Sequence, residues 1–247
     1  MSALSLRLAH LYPRLMNIYG DRGNILSLVR RCRDREIEVQ VTALGPGERL
    51  DPAAYDLIFI GGAQDREQRR VAEDLSSPKG EPLREAVEAG VTVLAVCGGY
   101  QLLGGPYRDA SGTELRGLGI FDLHTEHPGP NADRLIGNVV AEWEGGTLVG
   151  FENHGGRTYL APGVEPLARV RSGHGNNGAD GTEGARYKNA FGTYLHGSLL
   201  PKNPRLADRL LELALARRHG DDVRLAPLDD ALEERAHGAA LRLGNRK

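Results

Sequence analysis

A buried strand that runs straight into a glycine turn places the strongest constraint on this chain of 247 residues. The apolar run at 91–96 ends at Cys97, and the pair Gly98-Gly99 and a short helical pattern follow. This pattern is typical of a nucleophile elbow, in which a strained strand-to-helix turn lifts one reactive side chain above a sheet. The positive end of the new helix would favour a thiolate there. The alternative is that Cys97 is a small buried core residue, as most free cysteines are.

Strand and helix patterns alternate along the first half of the chain, and the second half is richer in strands. The predicted strands are 5–9, 37–41, 56–60, 91–96, 137–143, 147–151, 168–171 and 191–195, and the main predicted helices are 24–36, 81–89, 206–219 and 229–242. Alternation of this kind implies right-handed crossovers and predicts an α/β fold with a mostly parallel central sheet. Cys32 falls on the apolar stripe of the first helix, which indicates a structural role. The polar segments 124–133 and 172–184 are expected to be disordered links or lids.

Charge and cysteine content exclude several function classes. A formal net charge of -2 gives no electrostatic footprint for nucleic acid or for an anionic membrane surface. The two cysteines lie in no metal-binding or CxxC pattern, so we expect no metal site and a reducing, cytoplasmic location. No apolar run is long enough to span a membrane, and the N-terminus does not resemble a signal peptide. The chain carries no P-loop or other nucleotide-binding signature, so we expect no cofactor in it.

Two further strand ends offer partners for the thiol. His196 follows the apolar run 191–195 and could take the thiol proton and later deliver it to a leaving amine, although a structural histidine is the alternative. The pair Gly61-Gly62 follows the buried strand 56–60, where backbone N–H groups could bind an oxyanion, although a simple turn is the alternative. Sites in such sheets lie at the carboxyl ends of strands, which favours a shared site.

An ordered set of stretches resembles class I glutamine amidotransferases of the cobyric-acid-synthase-like branch, and more narrowly the glutaminase subunits of lipid II isoglutaminyl synthase. In chain order these stretches are 17–24 (NIYGDRGN), 61–62 (GG), 65–68 (DREQ), 97–101 (CGGYQ), 150–158 (GFENHGGRT), 175–177 (GNN), 187–189 (YKN) and 192–197 (GTYLHG). Each is weak alone, but the set is specific. The resemblance implies a three-layer glutamine amidotransferase domain, which we place at 1–222, followed by a C-terminal helical tail at 223–247.

The resemblance also implies a mechanism and a set of site residues. The Cys97 thiolate attacks the side-chain carboxamide of L-glutamine, ammonia leaves, and water hydrolyses the thioester to glutamate. His196 serves as the general base and acid. The backbone N–H groups of Gly62 and Gly98 are the expected oxyanion donors, and Arg134 is expected to contribute to glutamine binding.

One departure from the broader class concerns the acid that should orient the histidine. Ser198 stands two residues after His196, where a carboxylate is expected, and the next acid in the sequence is Asp208, inside a predicted helix. We therefore expect a dyad of Cys97 and His196. A backbone carbonyl or a distant residue such as Glu152 could orient the imidazole, or nothing does, and glutaminase activity is expected to be low until a partner organises the site.

A partner subunit follows from the chemistry. Amide formation from a carboxylate requires activation, typically by ATP. The resemblance implies a MurT-like subunit of the Mur-ligase family that binds ATP and Mg²⁺ and amidates the D-glutamate α-carboxyl of lipid II to D-isoglutamine, a step of peptidoglycan biosynthesis. Any membrane association would be peripheral, through that lipid. Two alternatives stay open, namely a glutaminase for a corrinoid or another small acid, and a non-catalytic cysteine-based sensor or binding module.

Overall fold

The structure is a computed structural model that describes residues 4–245. The strands are β1 (Ser5–Leu11), β2 (Glu38–Leu44), β3 (Leu57–Ile60), β4 (Thr92–Val96), β5 (Tyr107–Arg108), β6 (Glu114–Leu115), β7 (Leu123–Glu126), β8 (Leu135–Trp143), β9 (Gly146–His154), β10 (Arg157–Leu160), β11 (Ala168–Ser172), β12 (Thr182–Glu183), β13 (Ala185–Tyr187) and β14 (Ala190–Thr193). The helices are α1 (Arg22–Arg33), α2 (Asp65–Asp74), α3 (Gly80–Glu88), α4 (Gly98–Leu103), α5 (Pro204–His219) and α6 (Ala231–Gly244). Short helical turns lie at Ile18–Gly20, Leu75–Lys79 and Leu200–Lys202.

The central sheet carries six strands in the order β13-β14-β4-β3-β1-β2. All neighbouring pairs are parallel except β13 with β14 at one edge. Every residue of β3 and β4 is buried, as expected for parallel strands that are covered on both faces. Helix α5 packs against β1, β3 and β4, and α4 packs against β4 and β14. The predicted α/β class with a mostly parallel central sheet is confirmed.

The second half of the chain builds two further four-stranded sheets, in the orders β10-β7-β5-β6 and β12-β11-β8-β9. The sequence analysis located β8, β9 and β11 but missed the shorter strands. Most of these have two to four residues, which is too short for a period of two to stand out. It also missed α2, whose sequence DREQRRVAED offers only two apolar residues to an amphipathic pattern.

The segment 172–184 is an ordered loop that is held by one buried amide. The backbone N–H of Asn176 donates to the Thr182 carbonyl at 2.8 Å, and its own carbonyl accepts from the Thr158 N–H at 2.8 Å. The side chain exchanges two hydrogen bonds of 2.9 Å with the backbone of Gly184. A disordered link is therefore the wrong description of this segment.

The C-terminal helix is tied to the body of the protein through Arg31 in α1. The guanidinium is 4% exposed and donates to Asp208 of α5 and to Asp230, which directly precedes α6, each at 2.6 Å. Further along, the Ser172 hydroxyl donates to the carbonyl of Gly244. Helix α6 therefore packs on β8 and β9 as part of the same body.

We expect Arg31→Leu to lower the free energy of unfolding by about 2 kcal/mol or more, because it leaves Asp230 without its cation and leaves Asp208 with Arg35 alone. Urea denaturation measures this loss. Arg30→Leu is a matched control, since Arg30 is 77% exposed and, among residues 4–245, forms an ion pair with Asp34 alone, across one helical turn. That control is expected to change stability far less, because an exposed ion pair on a helix surface contributes little. Equal effects of the two substitutions would contradict the tethering role of Arg31.

Candidate active site

Cys97 occupies the turn between β4 and α4. Its backbone angles, φ 49° and ψ −105°, lie in a region that residues with a side chain rarely adopt, and its N–H donates to the Thr193 carbonyl at 2.7 Å. The side chain is 5% exposed and lines a cavity of about 350 Å³. The strand-to-helix turn predicted at this position is therefore present, and the thiol faces a space of the size of a small substrate.

His196 lies just beyond β14 and next to the thiol. It is completely buried, and its backbone exchanges hydrogen bonds with Phe151 on β9. Burial acts to lower the pKa of His196, but the neighbouring Cys97 and a contact with Asp21 outweigh it and raise the pKa to about 10. Within the described residues Nε2 has no hydrogen-bond partner. This nitrogen is free to exchange a proton with the thiol or with a ligand.

The acid that the sequence analysis could not find is Asp21. Its Oδ1 lies 3.3 Å from His196 Nδ1, and both side chains are completely buried. The expectation of a dyad without an acid is therefore wrong. Glu152 does not orient the histidine, because its carboxylate accepts the backbone N–H groups of His174 at 2.6 Å and Gly175 at 2.8 Å. The arrangement is a cysteine, histidine and aspartate in series.

Asp21 also changes the assignment of the oxyanion donors. The N–H of Gly62 donates to Asp21 Oδ2 at 2.6 Å, so it is not free for a substrate oxygen, in contrast to the expectation. Among the described residues, the N–H groups of Ala63 and Gly98 have no acceptor. A methyl group on Gly98 would lie 3.0 Å from the Ala63 nitrogen, so these two donors are close together. Gly62 instead provides close packing, since a methyl group there would lie 2.7 Å from His196 Cε1.

Arg134 lies in the wall of the same cavity as Cys97. It is exposed, and its guanidinium donates to the side-chain oxygen of Asn153 at 2.7 Å and to the Asn153 carbonyl at 2.9 Å. The Asn153 amide donates in turn to the Tyr19 hydroxyl at 2.7 Å, and the Tyr19 ring packs edge-on against His196 with centroids 5.0 Å apart. Tyr19 and Asn153 therefore join the wall of the site. Both lie in stretches that carry the family resemblance, at 17–24 and 150–158, but the sequence analysis assigned neither of them a definite role.

His154 has a structural environment, although it also lines the cavity. It is 2% exposed and stacks on Tyr194 with ring centroids 3.6 Å apart. Burial lowers its pKa, and its Nδ1 lies 2.8 Å from the Gly156 carbonyl. These contacts indicate a neutral imidazole that supports Tyr194.

Glu183 lies beneath the strand that leads to the histidine. Its Oε1 accepts the Tyr194 N–H at 2.7 Å and the Thr193 hydroxyl at 3.0 Å. The carboxyl group is completely buried, and burial raises the pKa of Glu183 from 4.5 to about 7. The folded protein therefore holds a proton on Glu183 at pH values where the unfolded chain has released it.

This proton predicts a pH dependence of stability. Between pH 4.5 and 7 the folded state binds more protons at Glu183, so the free energy of unfolding should fall as pH rises, by up to about 1.4 kcal/mol per pH unit from this group. Glu183→Gln keeps an accepting oxygen and should flatten that slope. Urea denaturation of both proteins across this window measures it. An unchanged slope in the variant would show that Glu183 does not titrate there.

Two properties of the described residues bear on partners and ligands. No helix among residues 4–245 is long and apolar enough to cross a membrane. Within the same residues, no group of three or more histidine, cysteine, aspartate or glutamate side chains is placed to hold a metal ion.

Comparisons with known proteins identify the family of the chain. Residues 7–204 match the CobB/CobQ-like glutamine amidotransferase domain. The chain is 44% identical to the lipid II isoglutaminyl synthase (glutamine-hydrolyzing) subunit GatD of Staphylococcus aureus, over 98% of this chain and 97% of that protein. It is 42% identical to the GatD subunit of Streptococcus pneumoniae, over 93% and 88%. A probable cobyric acid synthase of Methanopyrus kandleri is 36% identical over 66% of this chain but only 34% of its own length.

Solved structures show the same fold at low sequence identity. A crystal structure of a glutamine amidotransferase aligns with a TM-score of 0.57 at 17% identity, over 83% of this chain and 98% of the other. The glutaminase domain of Trypanosoma brucei CTPS with bound acivicin aligns with a TM-score of 0.54 at 12% identity, over 90% and 96%. The predicted amidotransferase-like fold is confirmed.

Proposed function

The chain belongs to the CobB/CobQ-like glutamine amidotransferase family and, within it, to the GatD subunits of lipid II isoglutaminyl synthase, and we propose that it hydrolyses L-glutamine and passes the ammonia to a partner subunit. The observation that carries the proposal is the series of Cys97, His196 and Asp21 at one cavity. A non-catalytic sensor or binding module would not need a buried acid behind the histidine. The geometry therefore favours an enzyme.

In the first half-reaction, His196 Nε2 takes the proton of Cys97, and the thiolate attacks the carboxamide carbon. The Asp21 carboxylate stabilises the imidazolium and fixes its orientation. The oxyanion accepts hydrogen bonds from the N–H groups of Gly98 and Ala63. The backbone holds these groups in position before the negative charge develops. His196 then delivers its proton to the nitrogen, the C–N bond breaks, and ammonia leaves a thioester on Cys97.

In the second half-reaction, water attacks the thioester. His196 takes a proton from the water, the C–S bond breaks, and glutamate leaves as the thiol is regenerated. Arg134 assists in glutamine binding at the cavity wall, where a guanidinium is complementary to the α-carboxylate of an amino acid.

The GatD relatives are each named as one subunit of a synthase, which supports a further subunit for this chain. We assign the ATP and Mg²⁺ sites to that partner, a MurT-like subunit of the Mur-ligase family. The partner would activate the D-glutamate α-carboxyl of lipid II, and ammonia would convert it to D-isoglutamine in peptidoglycan biosynthesis. Residues 1–222 would form the amidotransferase domain and 223–247 a helical tail. The protein would act in the cytoplasm, and any contact with the inner face of the membrane would come through the lipid.

A corrinoid or another small acid is the second candidate acceptor. The cobyric acid synthase match covers only 34% of that protein, whereas the Staphylococcus aureus GatD match covers 97% of its relative. Correspondence over nearly the whole length of that relative favours the glutaminase subunit of the lipid II enzyme.

Reconstitution tests the function. The chain and the ATP-dependent partner are incubated with glutamine, ATP, Mg²⁺ and lipid II, and mass spectrometry detects the amidated product. We expect glutamate release in step with amidation, and we expect ammonium chloride to support amidation by the partner without this chain. Glutamate release with amidation of a corrinoid alone would favour the second acceptor. No glutamate release under any condition would favour a sensor or binding module.

A further inference from the structure

Gln68, from the first turns of α2, lies against the residue that follows the nucleophile. Its side chain is 2% exposed and lines the cavity that Cys97 lines. A methyl group on Gly98 would lie only 2.4 Å from Gln68 Nε2. The amide of Gln68 therefore lies immediately beside Gly98, in the wall of the cavity that Cys97 also lines.

The orientation of this amide is fixed by a chain of buried hydrogen bonds. Gln68 Nε2 donates to Gln101 Oε1 at 2.8 Å, and Gln101 Nε2 donates to the Tyr194 hydroxyl at 3.1 Å. That hydroxyl lies 2.6 Å from the hydroxyl of Thr158, which is completely buried. Because Gln68 Nε2 donates to Gln101, Gln68 Oε1 lies on the side of the amide that faces away from this series of hydrogen bonds.

The oxygen of that amide has no partner. Within the described residues Gln68 Oε1 is buried and accepts no hydrogen bond. A buried acceptor without a donor is costly, so native proteins rarely keep one unless a ligand or water completes it. Since the amide lines the cavity, a bound ligand can supply the missing donor.

We propose that Gln68 Oε1 accepts a hydrogen bond from the carboxamide NH₂ of bound glutamine and thereby distinguishes the substrate from the product. This inference rests on the proposed glutaminase function and extends it to specificity. The carboxamide oxygen takes the two N–H groups of the oxyanion site, which leaves the NH₂ group to face an acceptor. Glutamate presents a second carboxylate oxygen at that position. This oxygen and Gln68 Oε1 are both acceptors, so no hydrogen bond forms between them.

Gln68→Met tests the proposal in the complex with the partner subunit, in a Cys97→Ala background that prevents turnover. Calorimetry measures the dissociation constants of L-glutamine and L-glutamate. We expect glutamine binding to weaken by roughly tenfold or more while glutamate binding stays the same or tightens. Gln64→Met is the matched control, because Gln64 is exposed in the same cavity and its side chain makes no hydrogen bond among the described residues. Its ratio of the two constants should stay at the parent value.

Equal weakening of glutamine and glutamate by Gln68→Met would overturn the proposal, because it would indicate a loss of shape rather than of an acceptor. If that variant does not fold, Gln68→Glu decides. A protonated carboxyl group there keeps a donor for Gln101 Oε1 as well as an accepting oxygen, and it should keep the preference for glutamine. Equal affinity of that variant for both ligands would also overturn the proposal. Failure of the glutaminase function itself would be seen separately, as wild-type protein that releases no glutamate.

Discussion

Cys97→Ala is expected to reduce glutamine hydrolysis by at least about 10⁴-fold, because the nucleophile of a catalytic series acts as a unit with its base. No other thiol can replace it. Cys32 is completely buried in α1, and burial raises its pKa to about 12, so it is neither accessible nor ionised at neutral pH. Glutamate release from glutamine, assayed with and without the partner subunit, measures the loss.

Two controls separate loss of the nucleophile from loss of the fold. The Cys97→Ala protein in complex with its partner should still support amidation from ammonium chloride, because free ammonia bypasses the thioester. Cys32→Ala should leave glutaminase activity within about twofold of wild type, since its side chain only fills the core. Hydrolysis retained in the Cys97→Ala protein would exclude a thioester at this cysteine.

Asp21→Asn is expected to lower kcat by roughly 10²- to 10⁴-fold with a much smaller change in KM. The neutral amide cannot stabilise the imidazolium of His196, and one of the raising influences on the pKa of His196 disappears with the charge. In the wild-type protein the N–H of Gly62 donates to the Asp21 carboxylate, and the substitution also weakens this hydrogen bond. The histidine would therefore lose both its charge partner and its fixed orientation.

The measurement is the pH profile of kcat and KM for glutamine. The profile of the Asp21→Asn protein should move toward lower pH, because the imidazolium is less stable. Asp34→Asn is the matched control, since Asp21 and Asp34 flank the two ends of α1. Within the part of the chain that the structure describes, Asp34 forms an ion pair with exposed Arg30 alone. It should keep kcat within about twofold. A wild-type kcat in the Asp21→Asn protein would show that the acid does not take part in the reaction.

The positions of the proposed nucleophile and base could be predicted from sequence because each follows an apolar run, and parallel strands bring such ends to one edge. Asp21 could not be predicted in this way. It precedes α1 at the position where an aspartate usually caps a helix, yet its side chain makes no capping hydrogen bond. Its two oxygens are used by His196 and Gly62 instead. Both partners lie far away in the sequence, so these contacts of Asp21 produce no local sequence pattern.

The proposed oxyanion donors and the residues of the cavity wall could also not be predicted from sequence. The Gly61-Gly62 turn could be predicted, but which N–H stays free depends on where the Asp21 carboxylate lies. Ala63 has no distinguishing side chain, and Asn153 and Tyr19 meet only because β9 and the turn after β1 converge. Contacts between distant segments decide these roles, whereas sequence periodicity reports only on each segment alone.

The groups proposed to react lie in segments that follow four adjacent strands, β1, β3, β4 and β14, and Asp21 and His196 are 175 positions apart. A chain emerging from the ribosome therefore carries its cysteine and its acid long before its histidine. Contacts of such long sequence separation form late, after loop closure has been achieved. The nascent protein thus has no working hydrolase during synthesis, and glutamine is consumed only by chains whose translation has passed the last strand of the sheet.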